Sequence, residues 1–157
     1  MPELQRVQQS NSSTLLLEGI QNCDPDELQS WLFQGSIPPG GNKDYHRLQT
    51  ISRKDTDEAI GYLSVYHGYP DAGTLYIGSL SIRQDCQNKG FGGEIVDKLR
   101  FLEGSKAYPT HRLVVTVRNW GAIKFWTRHG FTNIVNVIGD LHAEGGSSAR
   151  LELVRSE

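Results

Sequence analysis

The segment Gln87-Asn88-Lys89-Gly90-Phe91-Gly92-Gly93 constrains the fold of this chain most, because a strand pattern there gives way to a helix pattern. The preceding Leu75-Tyr76-Ile77-Gly78-Ser79-Leu80-Ser81-Ile82 reads as a strand, with Gly78, Leu80 and Ile82 on one side of a period-2 pleat. Beyond the segment, Phe91, Ile95, Leu99 and Leu102 recur at helical spacing, and Glu94 and Lys98 form an i,i+4 pair of favoured polarity. The glycines therefore fall in the loop and in the first helical turn. Amide N–H groups there have no intrahelical acceptor and carry the positive end of the helix dipole. Without a Cβ in the way, a ligand can reach them, and a phosphate is the ligand such a turn suits. The loop lacks the Gly-Lys-Ser/Thr ending of a nucleoside-triphosphate loop and the spacing of a dinucleotide fingerprint. Taken alone, it reads equally well as a tight turn whose glycines serve only sterics.

A second segment narrows the reading. Leu113-Val114-Val115-Thr116-Val117 is an apolar run suited to a sheet interior. Asn119 follows as an N-cap, and a short helix runs to a stop at Gly130. Together, Gln-x-x-Gly-x-Gly after one strand and strand-Asn-x-x-Ala-x-x-Phe-aromatic-x-x-x-Gly-Phe after the next resemble the GNAT superfamily of N-acetyltransferases, most firmly from Leu75 to Phe131. The resemblance implies an α/β (α+β) fold of the acyl-CoA N-acyltransferase type. In it a central mixed, mostly antiparallel sheet is splayed between strands four and five and flanked by helices, as a single domain over residues 1–157.

The remaining elements are read to fit. Leu4 to Gln8 is expected as a weak first strand and Thr14 to Ile20 as a short helix. Asp24-Pro25-Asp26-Glu27 starts another helix, with Leu28, Trp31 and Leu32 as its buried face. Gln34 to Asp44 reads as a mobile loop, and Tyr45 to Ser52 with Ala59 to His67 as a hairpin around Arg53 to Asp57. Asn133 to Ile138 and Arg150 to Val154 are the last strands, on either side of a Gly/Ser-rich loop from Gly139 to Ala149. The expected order is β-α-α-β-β-β-α-β-α-β-β. At 157 residues and a net charge of -2, one domain suffices and nucleic acid is not expected as a partner. No apolar run is long enough for a membrane span and no signal pattern opens the chain, so a cytoplasmic protein is expected. Cys23 and Cys86 have no metal-ligand spacing, and no metal is expected.

The resemblance implies acetyl-CoA as co-substrate and an amine as acceptor. Leu80 and Ile82 are the strand positions that would meet the pantetheine arm. Gln87, Asn88, Lys89, Gly90, Phe91, Gly92 and Gly93 would cradle the pyrophosphate through backbone N–H groups, and Asn119 and Phe125 would contact the cofactor. Asn119 also reads as a plain N-cap, and Phe125 as core. Trp126 stands where relatives carry a tyrosine acid; its indole can donate a hydrogen bond but cannot usefully ionise, and it also fits as the packing partner of Phe131 at the helix end. Gly78 and Ser79 stand where many relatives carry an acidic base, which leaves Tyr76, Tyr66 and His67 as titratable candidates beside a water chain. Glu18, Asp140 and Glu144, with His142 between the last two, could draw a cationic amine, while Asp24, Asp26 and Glu27 read as helix-start residues. A small-molecule amine is the first expectation for the acceptor, and a peptide N-terminus or lysine the second. A CoA-binding module without catalysis, and an interaction domain whose glycines only shape a turn, are the competing classes. A homodimer is compatible with the resemblance.

Overall fold

The computed structural model describes residues 2–18, 24–34, 36–101, 108–140 and 149–156. Its first segment corrects the sequence reading: Leu4 to Gln8 lies in helix α1 (Pro2–Ser10), not in a strand. Leu4 and Val7 are both buried and stand three residues apart, a helical spacing that places them on one side of the turn. A strand would have needed apolar residues two apart. Helices α2 (Ser12–Leu17) and α3 (Pro25–Gln34) follow. Leu32 of α3 is buried, whereas the side chains of Leu28 and Trp31 lie outside the described residues, as do Ile20, Cys23 and Leu102.

Strands β1 (His46–Ser52) and β2 (Ala59–His67) form the expected hairpin, closed by Arg53 N–H donating to Glu58 O (2.9 Å) and Asp57 N–H to Arg53 O (2.9 Å). Strand β3 (Thr74–Ile82) leads to α4 (Phe91–Lys98), and β4 (Thr110–Thr116) to α5 (Trp120–Arg128). Strands β5 (Asn133–Ile138) and β6 (Arg150–Ser156) complete a six-stranded sheet of order β1-β2-β3-β4-β6-β5. All neighbours pair antiparallel except β3 and β4, which run parallel. Most of the expected loop from Gly139 to Ala149, including His142 and Glu144, lies outside the described residues.

One sheet face packs on α4 and α5. Leu75, Ile77, Leu113, Val115 and Leu153 meet Val96, Leu99, Trp126 and Phe131 in the larger core cluster. Each fully buried large aliphatic or aromatic side chain there contributes about 1.5–3 kcal/mol relative to exposure. A smaller cluster of Leu4, Val7, Leu32 and Tyr62 fixes α1 and α3 to the other face over β2.

Strands β3 and β4 pair only from Thr74 to Ile77 with Thr110 to Leu113. Beyond that they part, although β3 continues to Ile82 and β4 to Thr116. The expected opening between the fourth and fifth strands thus falls between β3 and β4, because the chain's first segment is helical. Gly78 marks the divergence. It is a bulge residue, since Ser64 pairs with Ser79 and Val65 with Ile77, leaving Gly78 without a partner on β2. A Cβ at Gly78 would stand 2.6 Å from Cβ and Oγ of buried Ser36, so only glycine fits under this loop. The loop is tied down a second time where Asn42 N–H donates to Tyr66 Oη (2.9 Å).

Candidate active site

Because β3 and β4 are parallel, both end at the wide mouth of the splay, and α4 and α5 start on either side of it. From Gly78 to Ile82 the edge of β3 toward β4 has no strand partner. The loop that follows is anchored from below. Gln87 turns its side chain inward, Nε2 donating to Asn11 Oδ1 (2.8 Å) and Ile82 O (2.9 Å), while its own N–H goes to Gln84 O (3.2 Å). Gln87 therefore holds the loop and offers no free amide. Asn11, buried in the α1–α2 turn, extends the anchor with Nδ2 to Ser81 Oγ (3.0 Å) and Ile82 O (2.9 Å).

Asn88 (φ +58°) and Gly90 (φ +87°) are both left-handed, and Gly90 caps α4. The first helical return is Glu94 N–H to Gly90 O (3.0 Å), so the amides of Phe91, Gly92 and Gly93 precede the helical ladder. A left-handed residue followed by right-handed ones turns successive N–H groups into a concavity that suits an anion. A Cβ on Gly90 would meet nothing within 4 Å, so this side of the loop is open. The next two glycines serve a different purpose. A Cβ on Gly92 would lie 3.2 Å from the Phe125 ring, and one on Gly93 3.0 Å from His129 Cε1. They let α4 approach α5. Lys89 is exposed beside them.

Ile82 belongs to the larger core, and Leu80, Phe91 and Phe125 are half-buried against it; of the four, only Leu80 and Ile82 lie on the strand edge that has no partner toward β4. Asn119 caps α5, its Oδ1 accepting from Ala122 N–H (3.0 Å), and its Nδ2 reaches Glu18 Oε1 at 3.5 Å. Loop, strand edge and Asn119 thus gather at one mouth.

The titratable candidates divide between the two sheet faces, Tyr66 and Tyr76 on one and His67 on the other. Tyr76 pairs with Tyr66 across β2 and with Arg112 across β4, and lies edge-on to Tyr69 (5.6 Å). Burial first, then Glu152 and Tyr69, pushes its phenol above the usual value, so at neutral pH it donates a proton rather than accepting one. Tyr66 Oη is engaged by Asn42. His67 pairs with Leu75, so the pleat sends its side chain to the face opposite Tyr76, where it packs against Tyr108 (5.4 Å). Burial and then Arg47 lower its pKa, leaving it neutral. Trp126 is 8 % exposed, between Phe125 (5.0 Å) and Phe131 (5.2 Å). Phe131 N–H to Trp126 O (3.1 Å) and Gly130 N–H to Thr127 O (3.2 Å) complete the Schellman end, with Gly130 at φ +90°.

Sequence reasoning gave two groups too little weight. Glu18, just past α2, is exposed as a residue, yet its carboxyl is desolvated enough to raise its pKa, with Asn119 and then Arg150 partly offsetting the rise. Arg112 Nε donates to Glu152 Oε1 (2.7 Å) on the sheet face of Tyr76. The signal for the second was present, because Arg150 and Glu152 alternate with Leu151 and Leu153 along one strand. Among the described residues no cluster of His, Cys, Asp or Glu could hold a metal, and no helix is long and apolar enough to cross a membrane.

The sequence matches the acetyltransferase (GNAT) family over residues 14–131. None of the curated proteins matches it. Among solved structures, an acetyltransferase from Thermus thermophilus is similar at 25% identity and TM-score 0.69, over 99% of this chain and 90% of that one. A GNAT family acetyltransferase from Elizabethkingia anophelis with acetyl-CoA bound has 17% identity and TM-score 0.61, over 73% and 78% of the two chains. A Bacillus subtilis acetyltransferase in complex with CoA has 18% identity and TM-score 0.60, over 85% and 86%. At the two lower identities the likeness is one of fold.

Proposed function

This chain belongs to the GNAT family of acetyltransferases, and on that premise we propose that it moves the acetyl group of acetyl-CoA to a primary amine of a small molecule, by direct attack in a ternary complex. The observation that carries this reading is the mouth between β3 and β4, with an unpaired strand edge on one side and an open left-handed glycine at a helix start. The edge from Gly78 to Ile82 suits the extended arm of the co-substrate through backbone groups. The amides from Asn88 to Gly93, with Lys89 beside them, suit its pyrophosphate.

In the reaction the acceptor first gives up its ammonium proton. Its nitrogen lone pair then attacks the thioester carbon, forming C–N, while the carbonyl electrons move to oxygen. A backbone N–H near the Gly78 bulge is the donor we assign to that oxygen. Collapse breaks C–S, CoA leaves as thiolate, and the second amine proton returns to it, giving an amide and free CoA thiol. Glu18, whose carboxyl burial makes more basic, is the group we assign to the first proton. Tyr76, held protonated, can donate a hydrogen bond to the leaving sulfur while keeping its proton. We give His67 and Trp126 no part in proton transfer, since one projects to the other face and the other fills the core. Holding both reactants in one cleft supplies much of the acceleration. We read residues 1–157 as one such domain, and the free, buried Cys86 suits a reducing compartment such as the cytoplasm.

Titration with acetyl-CoA tests the reading. One saturable site is expected, and at a hundredfold excess over Kd the melting temperature should rise by roughly 5–10 °C. No heat and no shift would contradict it.

A further inference from the structure

The sheet face opposite α4 and α5 carries a row of charges at the lip of the splay. Strand β6 pairs Val154 with Arg112, Glu152 with Val114 and Arg150 with Thr116, so the pleat brings Arg112, Glu152 and Arg150 to one face. Tyr76 shares that face, as the partner of Arg112 on β3. The alternate residues Leu113, Val115, Leu151 and Leu153 fill the core on the other side. Arg112 and Glu152 neutralise each other at 2.7 Å, with side chains only 21% and 12% exposed. Arg150 is exposed, and among the described residues no carboxylate stands within 4 Å of it. Its charge reaches the carboxyl of Glu18, beside Asn119 at the mouth. Among the described residues the row therefore holds one guanidinium in excess, in electrostatic range of the phenol of Tyr76 and the carboxyl of Glu18. A second cation there would be repelled, whereas a carboxylate matches the planar fork of Arg150.

We propose that the acceptor is an amine that also carries a carboxylate, of amino-acid type, and that Arg150 binds this carboxylate while the amine faces the cleft. This rests on the acetyl-transfer reading. Polyamines and peptide lysines, which lack a carboxylate beside the amine, fit the row poorly.

The test is steady-state thiol release from acetyl-CoA with common α-amino acids, their carboxamides and polyamines, on the wild type and on Arg150→Gln and Arg150→Lys. At least one amino acid should exceed its carboxamide ~10-fold or more in kcat/KM, the worth of one charge-assisted bond. Arg150→Gln should bring that ratio toward one, and Arg150→Lys should keep part of it. Carboxamides or polyamines used as well as acids, or a ratio that survives Arg150→Gln, would overturn the assignment. Calorimetry with acetyl-CoA separates the two layers. Binding without thiol release from any carboxylate-bearing amine would overturn the acceptor assignment alone, and no binding would overturn the transfer reading beneath it.

Discussion

Replacing Gly90 by alanine isolates the phosphate cradle from the packing around it. At φ +87° an L-residue costs about 1–2 kcal/mol, and the stiffer unfolded chain returns part of that. A net loss of about 1 kcal/mol lowers the melting temperature by roughly 2–4 °C in a chain of this size. Nothing lies within 4 Å of the new methyl, so no repacking adds to the cost. The methyl instead stands on the open side of the loop amides. Displacing one charge-assisted bond to a phosphate costs about 1.5–3 kcal/mol, or roughly 10–150-fold in Kd. Calorimetric titration with acetyl-CoA, run beside a thermal melt, reads both effects. Gly92→Ala is the contrast: its methyl meets the Phe125 ring at 3.2 Å, so it should disturb the contact between α4 and α5 more than affinity. A Gly90→Ala protein that melts as expected yet binds within about twofold of the wild type would refute the cradle.

Gly78→Ala forces a Cβ against Ser36 and should cost about 1–3 kcal/mol in a denaturant melt, with Ser36→Gly recovering most of it; simple additivity of the two changes would contradict the contact. Glu18 binds its proton more tightly in the folded state than its ordinary value of 4.5, so its contribution to stability falls as pH rises from that value through the raised one. If Glu18 takes the acceptor's proton, kcat/KM should lose activity on an acid limb lying above pH 4.5, and Glu18→Gln should remove both that limb and the stability slope. An unchanged limb would assign the base elsewhere. Trp126→Phe should cost roughly 0.5–3 kcal/mol of stability through its contacts with Phe125 and Phe131 while kcat/KM stays within a few-fold. A fall of about a hundredfold would make the indole a working donor.

What the sequence disclosed followed how local each signal is. The β3–α4 and β4–α5 units stand out because a strand pattern, alternating in one and continuously apolar in the other, gives way to helical spacing across glycines or an asparagine; Asn119 caps α5 as expected, and Gly90 caps α4. The Trp126–Phe131 helix end was legible for the same reason, since Gly130 fixes it locally. Leu4 to Gln8 was misread because five polar-rich residues show too little of a period, and only burial of Leu4 and Val7 against Tyr62 decides it. The two functions of the glycines could not be separated from sequence: Gly92 and Gly93 are explained by Phe125 and His129, which reach them only once the helices pack. Asn11 gave no signal in its polar run, yet it ties α1 to the end of β3. Ser36 over Gly78 explains in physical terms why no acid stands at that strand position.

The most direct test of the central claim is release of free CoA thiol from acetyl-CoA in the presence of amines, with the acetylated product identified by mass spectrometry. The account predicts thiol release that depends on both the protein and a particular class of amine, with one acetylated amine formed per thiol. Saturable acetyl-CoA binding without release from any amine would contradict it and leave a CoA-binding module in its place.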